Sequence, residues 1–245
     1  MAKTKYKVDY YSFGGFILFG LILVSVWQTY YGYYILYPFT ILGTWFHEMG
    51  HGIMAILTGG TFEYLEIFPS GSGVAYNSHT YQLLPMKYTR ALVSSAGLFG
   101  PPIVGAILIL MSKSLRKSKI ILYALSIFML ISVVIWVRST TGIVVVSSLG
   151  ILFLILTIKA KSSIIQFAVQ IIGLIACVNT YRQISYLFMD NGVINGEQMT
   201  SDTGQIANQL GLTHTFWGGF ILILSFILLL TSLHYRNRTK IVSEY

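Results

Sequence analysis

The stretch WFHEMGHGIM, residues 45–54, places two histidines four positions apart, a glutamate beside the first, and bulky apolar residues on both flanks. On a helix, residues four apart share a face, so His47 and His51 can offer ring nitrogens to one ion. Glu48 lies about 100° around from His47, where its carboxylate can lean toward a water at that ion without ligating it. Gly43 and Gly50 fall on the histidine stripe and open room for another helix backbone or for a substrate.

The surroundings of this stretch are those of a membrane protein. The chain has 245 residues, 55% hydrophobic and only 10% charged, with mean hydropathy +0.70; soluble domains carry about 25% charged residues. Apolar spans recur near 13–30, 35–58, 91–111, 120–137, 142–158, 164–188 and 216–233. Most are long enough for a hydrocarbon core of ~30 Å at ~1.5 Å per residue. The expected fold is an all-α polytopic membrane protein, a bundle of about 6–7 transmembrane helices forming one membrane-embedded domain over 1–245. The motif sits well inside the second span, where ionisable groups cost ~2.5–3.5 kcal/mol each on insertion scales and are rarely idle.

Charge narrows the class further. The net charge of +8 comes largely from clusters beside apolar spans, KTKYK, KSLRKSK and HYRNRTK. That is the pattern of membrane-flanking loops, and it argues against a nucleic-acid partner. The lone Cys177 lies in an apolar span and excludes an internal disulfide. The first span follows a basic segment but lacks a small-residue cleavage site after it, so it is read as a retained anchor.

Two polar stretches interrupt the spans. Residues 61–76 run through a β-branched and aromatic segment, the turn PSGSG and a second short run, which predicts a β-hairpin. Residues 189–215 are rich in glycine and polar side chains, with a short helix expected near 203–210. If every span crosses, the basic loops from the third span onward share one side, but KTKYK falls on the other. Either an early segment does not fully cross or those lysines are overruled.

Two imidazoles without a redox requirement point to zinc, Zn2+, with an open position for water. A third protein ligand is then needed. Asp9, His234 and Glu244 flank the outer spans as surface residues; Glu63, Glu66, His79, Cys177, Asp190, Glu197, Asp202 and His214 remain. The 189–215 stretch is favoured, because irregular backbone beside a membrane domain is tolerated where it lines a wet cavity. Within it Glu197 competes with Asp202, and Asp202 could equally be the cap of the helix that follows.

Four segments together resemble the site-2-protease-type intramembrane zinc metalloproteases, in the compact bacterial branch without PDZ or CBS modules. HEMGHGIMAILTGG (47–60) resembles the metal helix of that branch, and IFPSGSGVAY (67–76) its glycine-bearing strand segment. ALVSSAGLFGPPIVGA (91–106) is similar to its small-residue third helix, and SDTGQIANQLG (201–211) to the segment that supplies its aspartate. The resemblance implies metal ligands His47, His51 and Asp202, with Glu48 as the catalytic base. An N-P-D-G-type motif of larger relatives is absent; Asp202 stands in TSDTGQ instead.

The function so implied is hydrolysis of peptide bonds in transmembrane protein substrates, in a multi-pass protein of the cell membrane, with a zinc-activated water and Glu48 as general base. The hairpin could present a strand edge to an unwound substrate, with Gly71, Gly73 and Asn77 as candidate substrate-binding residues. Asn179 and Arg182 could line a water path or help stabilise an oxyanion, and Asn77 and Asn208 are further amide donors. A gating partner is left open. The rival readings are a metal-dependent transporter or sensor, a membrane metalloprotease with a glutamate third ligand, and a catalytically silent membrane adaptor.

Overall fold

The computed structural model describes residues 6–78 and 83–240. The chain enters through a short strand β1 (Tyr6–Val8) and helix α1 (Tyr10–Trp27), followed by α2 (Tyr30–Ile35) and α3 (Tyr37–Leu57). Strands β2 (Thr61–Ile67) and β3 (Gly73–Ser78) precede α4 (Met86–Met111), α5 (Leu115–Ile135), α6 (Thr140–Lys159) and α7 (Ser162–Arg182). After α8 (Ile184–Leu187) come β4 (Asn191–Ile194), β5 (Glu197–Thr200), α9 (Asp202–Leu210), α10 (His214–Arg236) and β6 (Arg238–Lys240). His79 and Glu244, two candidate ligands in the sequence, lie outside the described residues.

Six helices are long and apolar enough to cross a membrane: α1, α4, α5, α6, α7 and α10. This is a polytopic all-α membrane protein with small two-stranded sheets. Helix α3 has 21 residues but falls short of that apolarity, because His47, Glu48 and His51 interrupt it. Helix ends are stopped by local chemistry. The Asp9 carboxylate accepts the N–H groups of Tyr11 (3.1 Å) and Ser12 (3.2 Å) to cap α1, and Thr213 caps α10.

Between lipid-bathed helices there is little hydrophobic driving force, so association depends on close packing and buried polar contacts. Gly105 of α4 and Gly173 of α7 show this. A Cβ on Gly105 would stand 2.5 Å from the Gly173 carbonyl, and one on Gly173 would stand 2.8 Å from that of Gly105. Trp45 is fully buried and donates its indole N–H to Ser132 Oγ at 3.0 Å, fastening α3 to α5.

Pairings along the helices give their directions. Gly50 meets Ala96 and Gly100 meets Phe46, so α3 and α4 are antiparallel. Pro102 meets Cys177 and Gly105 meets Gly173, so α4 and α7 are antiparallel as well. Gly20 packs on Leu174 and Val178 while Trp27 lies by Arg182, so α1 runs parallel to α7. Helices α1 and α3 therefore climb the same way, and α3 is not the return pass of α1.

That geometry removes the conflict over KTKYK. Strand β1 pairs antiparallel with β6, Tyr6 opposite Lys240, so both chain ends lie at one end of the bundle. Lys113 donates to the carbonyls of Tyr235 and Arg238, and Gln166 reaches the Ser112 carbonyl at 3.2 Å. The basic segments around 113–119, 159–161 and 236–240 thus gather at that same end. Six candidate spans, with α3 not among them, fit the charge pattern that seven alternating spans do not.

The hairpin expected over 61–76 is present as β2 and β3, paired from Thr61 opposite Ser78 to Ile67 opposite Gly73. Its turn is anchored by three hydroxyls: Tyr33 donates to the Ser70 carbonyl (3.1 Å), Tyr37 to that of Pro69 (2.9 Å) and Thr44 to that of Gly71 (2.5 Å). The outer edge of β2 is taken by the loop after α5, with Leu65 N–H donating to Trp136 and Arg138 N–H to Leu65, both at 2.9 Å. Among the described residues, no strand pairs with the outer edge of β3.

The 189–215 stretch holds the expected helix, α9, and a second hairpin, β4–β5, that the sequence reading did not anticipate. Its turn is Asn195-Gly196, both with positive φ (50° and 85°). Asn-Gly is the strongest short hairpin signal. It was hidden here by a segment too polar to read as strands.

Candidate metal centre

Helix α3 carries His47, Glu48 and His51 into the protein interior, and α9 brings Asp202 to meet them. His47 Nε2 lies 3.0 Å from His51 Nε2 and 3.0 Å from Asp202 Oδ2; His51 Nε2 lies 3.4 Å from the same oxygen. Ligands at bonds of about 2.0–2.2 Å around a tetrahedral ion stand about 3.3 Å apart, so the three donors fit zinc. Among the described residues this is the one group of His, Cys, Asp and Glu donors that converges so closely. Glu48 is not among the three, although it is buried at 4% exposure beside them.

Supporting contacts fix two of the three donors, His51 and Asp202. His51 Nδ1 donates to the Val93 carbonyl of α4 at 2.8 Å, which leaves Nε2 with its lone pair toward the other donors. The ring fits only because residue 97 is glycine: a Cβ there would collide with it. Ser201 caps α9 by accepting the Gly204 N–H at 3.0 Å, and Asp202 is the first helical residue. Asp202 is therefore not the cap, and its carboxylate is free to face the histidines. The Tyr186 hydroxyl donates to Asp202 Oδ2 at 3.1 Å and accepts the Asp202 N–H at 3.3 Å.

The centre lies between two arms of one cleft. The larger, about 460 Å³, is lined by Arg90, Ser94, Asn77, Thr200 and Gln205 together with the β3 backbone. The smaller, about 320 Å³, is lined by Thr44, the 70–73 turn, Arg182, Gln183 and β4. His47, Glu48, Gly73, Tyr186 and Ile194 border both. A Cβ on Gly73 would sit 2.9 Å from Glu48 Oε1, so glycine lets the strand pass directly over that carboxylate.

The remaining candidates separate cleanly. Gly71 adopts φ +85° in the anchored turn, and Asn77 Oδ1 is buried with no hydrogen-bond partner among the described residues. Gly43 and Gly50 admit the Asn179 side chain and the α4 backbone respectively, so their space is used in helix packing. Glu197 is exposed on β5, Asn208 is exposed on α9, and Asp190 lies 3.9 Å from His214. Cys177 Sγ is buried against the Pro102 carbonyl at 3.6 Å. Tyr186 was missed in the sequence, where nothing distinguishes it from the other sixteen of the 17 tyrosines.

Fold and site together define a class: a polytopic membrane protein whose transmembrane bundle houses a two-histidine, one-carboxylate centre with a glutamate beside it. A family model for Peptidase M50B-like proteins matches residues 16–232, and the chain belongs to that family, a site-2-protease-type family of metallopeptidases. No curated protein and no solved structure matches the chain.

Proposed function

We propose that this chain is an intramembrane zinc metalloprotease that hydrolyses peptide bonds of transmembrane proteins. The observation that carries the reading is the convergence of His47, His51 and Asp202 within 3.0–3.4 Å, next to a buried carboxylate that is not one of them. A zinc ion held by these three side chains supplies Lewis acidity for amide hydrolysis.

The other roles belong to the chain itself. Glu48 takes a proton from the attacking water as its oxygen bonds to the scissile carbonyl carbon. As the C–N bond breaks, Glu48 returns that proton to the leaving amine nitrogen. Tyr186 orients Asp202 through its two hydrogen bonds and so holds the third donor in place. A helical substrate must unwind before its carbonyl can be reached. The outer edge of β3, with which no described strand pairs and where Ala75 N–H faces Glu48, offers such a segment backbone hydrogen bonds as an added strand. Gly71 keeps the hairpin turn in shape, Gly73 keeps that edge close to the base, and Asn77 presents an amide beside it.

The excess of Lys and Arg at the basic end of the bundle supports placing that end on the cytoplasmic side of a cell membrane. The cleft, formed with β4, β5 and α9 at the opposite end, then opens toward the outer face. The test is reconstitution of the full chain with a reporter transmembrane substrate. Cleavage should require zinc, stop on chelation and resume on zinc addition. A zinc-loaded protein that cleaves no transmembrane reporter ends the proteolytic reading.

A further inference from the structure

Arg182 is the last residue of α7, and it lines the smaller arm of the cleft together with His47 and Glu48. Its Nε donates to Asn179 Oδ1 at 3.0 Å, and Asn179 is seated against Gly43, where a Cβ would come within 2.5 Å of it. The guanidinium also lies 5.7 Å from the centre of the Trp27 ring. The stem and one face of this side chain are therefore fixed. Its two terminal nitrogens donate to no described residue, and no described carboxylate stands within ion-pair distance of it.

Two other arginines behave differently. Arg138 gives its terminal nitrogens to the carbonyls of Val137 (3.0 Å) and Ile135 (2.5 Å). Arg236 gives its own to Asn237 Oδ1 (2.7 Å) and Gln170 Oε1 (2.8 Å). Both give their terminal nitrogens to the protein, although Arg236 Nε is buried without a partner among the described residues. A charged group inside a membrane bundle is costly and is kept where it pairs or marks a substrate path. A fixed guanidinium fork with free terminal donors matches a carboxylate, which accepts two parallel N–H bonds.

We propose that Arg182 binds a carboxylate of the substrate in the smaller arm, so that the protein selects substrates with an acidic group on that side of the scissile bond. The carboxylate is either an Asp or Glu side chain or the chain terminus of the substrate. No acidic side chain other than Glu48 lines this arm to compete for the cation. The inference rests on the proteolytic reading for the word substrate, but the site itself can be tested by binding alone.

The experiment measures anisotropy of labelled, C-terminally amidated peptides binding to the zinc-loaded full chain carrying Glu48→Gln, which prevents turnover. Asp is scanned against Asn through the peptide, and a neutral peptide with a free C-terminus forms a separate arm. The expected result is at least tenfold tighter binding for Asp at one position, or for the free terminus, which tells the two sources apart. Arg182→Gln should abolish the difference, Arg182→Lys should keep part of it, and Arg182→Glu should transfer the preference to a Lys peptide.

Equal binding of all acidic and neutral peptides overturns the proposal without any change at Arg182, so a poorly folding variant does not shelter it. A preference that survives Arg182→Gln overturns it too. So does a uniform fall in kcat for acidic and neutral reporters alike in Arg182→Gln with KM unchanged, the signature of charge stabilisation during reaction. Acid-selective binding without any cleavage would leave the carboxylate site standing and remove the proteolytic reading instead.

Discussion

His51 Nδ1 lies 2.8 Å from the carbonyl oxygen of Val93, one turn of α4 before the glycine that admits the imidazole. A carbonyl can only accept, so the proton of the neutral ring is on Nδ1 and the lone pair of Nε2 faces His47 and Asp202. Helix α4 thereby sets both the tautomer and the position of a donor on α3. Gly97→Ala should leave the helix intact, since alanine is the better helix former by about 1 kcal/mol. It should nevertheless push the ring away and weaken zinc binding by roughly 10–100-fold, the range for lost supporting contacts. Competition with a zinc chelator measures it, and unchanged affinity would remove this role for α4.

Glu48→Gln keeps the size of the side chain and deletes the proposed base. Zinc content should be retained, while cleavage of a transmembrane reporter falls by roughly 10²–10⁴-fold. Elemental analysis alongside the cleavage assay separates the two effects. A variant that cleaves at the wild-type rate assigns the proton transfer to another group.

Asp202→Ala should lose both zinc and cleavage, because one of three converging donors is gone. Tyr186→Phe is the milder test. It removes the hydroxyl at 3.1 Å from Asp202 Oδ2 and should lower zinc affinity by about 10–100-fold without abolishing it. Full zinc binding by Asp202→Ala would assign the third ligand elsewhere.

Ala75→Pro deletes an N–H on the outer edge of β3 that pairs with no described strand but faces Glu48. The expected outcome is a normal zinc content with a raised KM for an extended substrate, together with a lower kcat because Glu48 loses that N–H. Wild-type KM would show that substrate does not add to this edge.

Cysteine labelling reads the orientation. Substitutions at Ser114, between α4 and α5, and at Gly196, in the β4–β5 turn, should react from opposite sides of sealed vesicles, with position 114 on the cytoplasmic side. Both labelling from one side would contradict six crossings.

Different parts of the molecule were legible in the sequence for different physical reasons. The spans were legible because lipid demands long apolar runs, and α4, α6 and α10 lie within a few residues of the expected bounds. The pairing of His47 with His51 was legible because it is local, fixed by one turn of helix. Asp202 was not, since its approach depends on how α9 packs against α4. Composition alone left it level with Glu197, and only the resemblance favoured it. The direction of α3 was hidden for a related reason. Hydropathy records that a segment is greasy, whereas the Gly50–Ala96 contact records which way it points. Tyr186 and the Val93 carbonyl gave no signal, because one is a common side chain and the other is backbone.

The two histidines stand early in the chain, and the aspartate that joins them lies on α9, close to the end. During synthesis the earlier helices emerge and insert first, before this last donor has left the ribosome. A half-made copy therefore holds Glu48 and two imidazoles but not the third donor. On the proposed function, synthesis that stalls short of α9 leaves an inactive fragment in the bilayer.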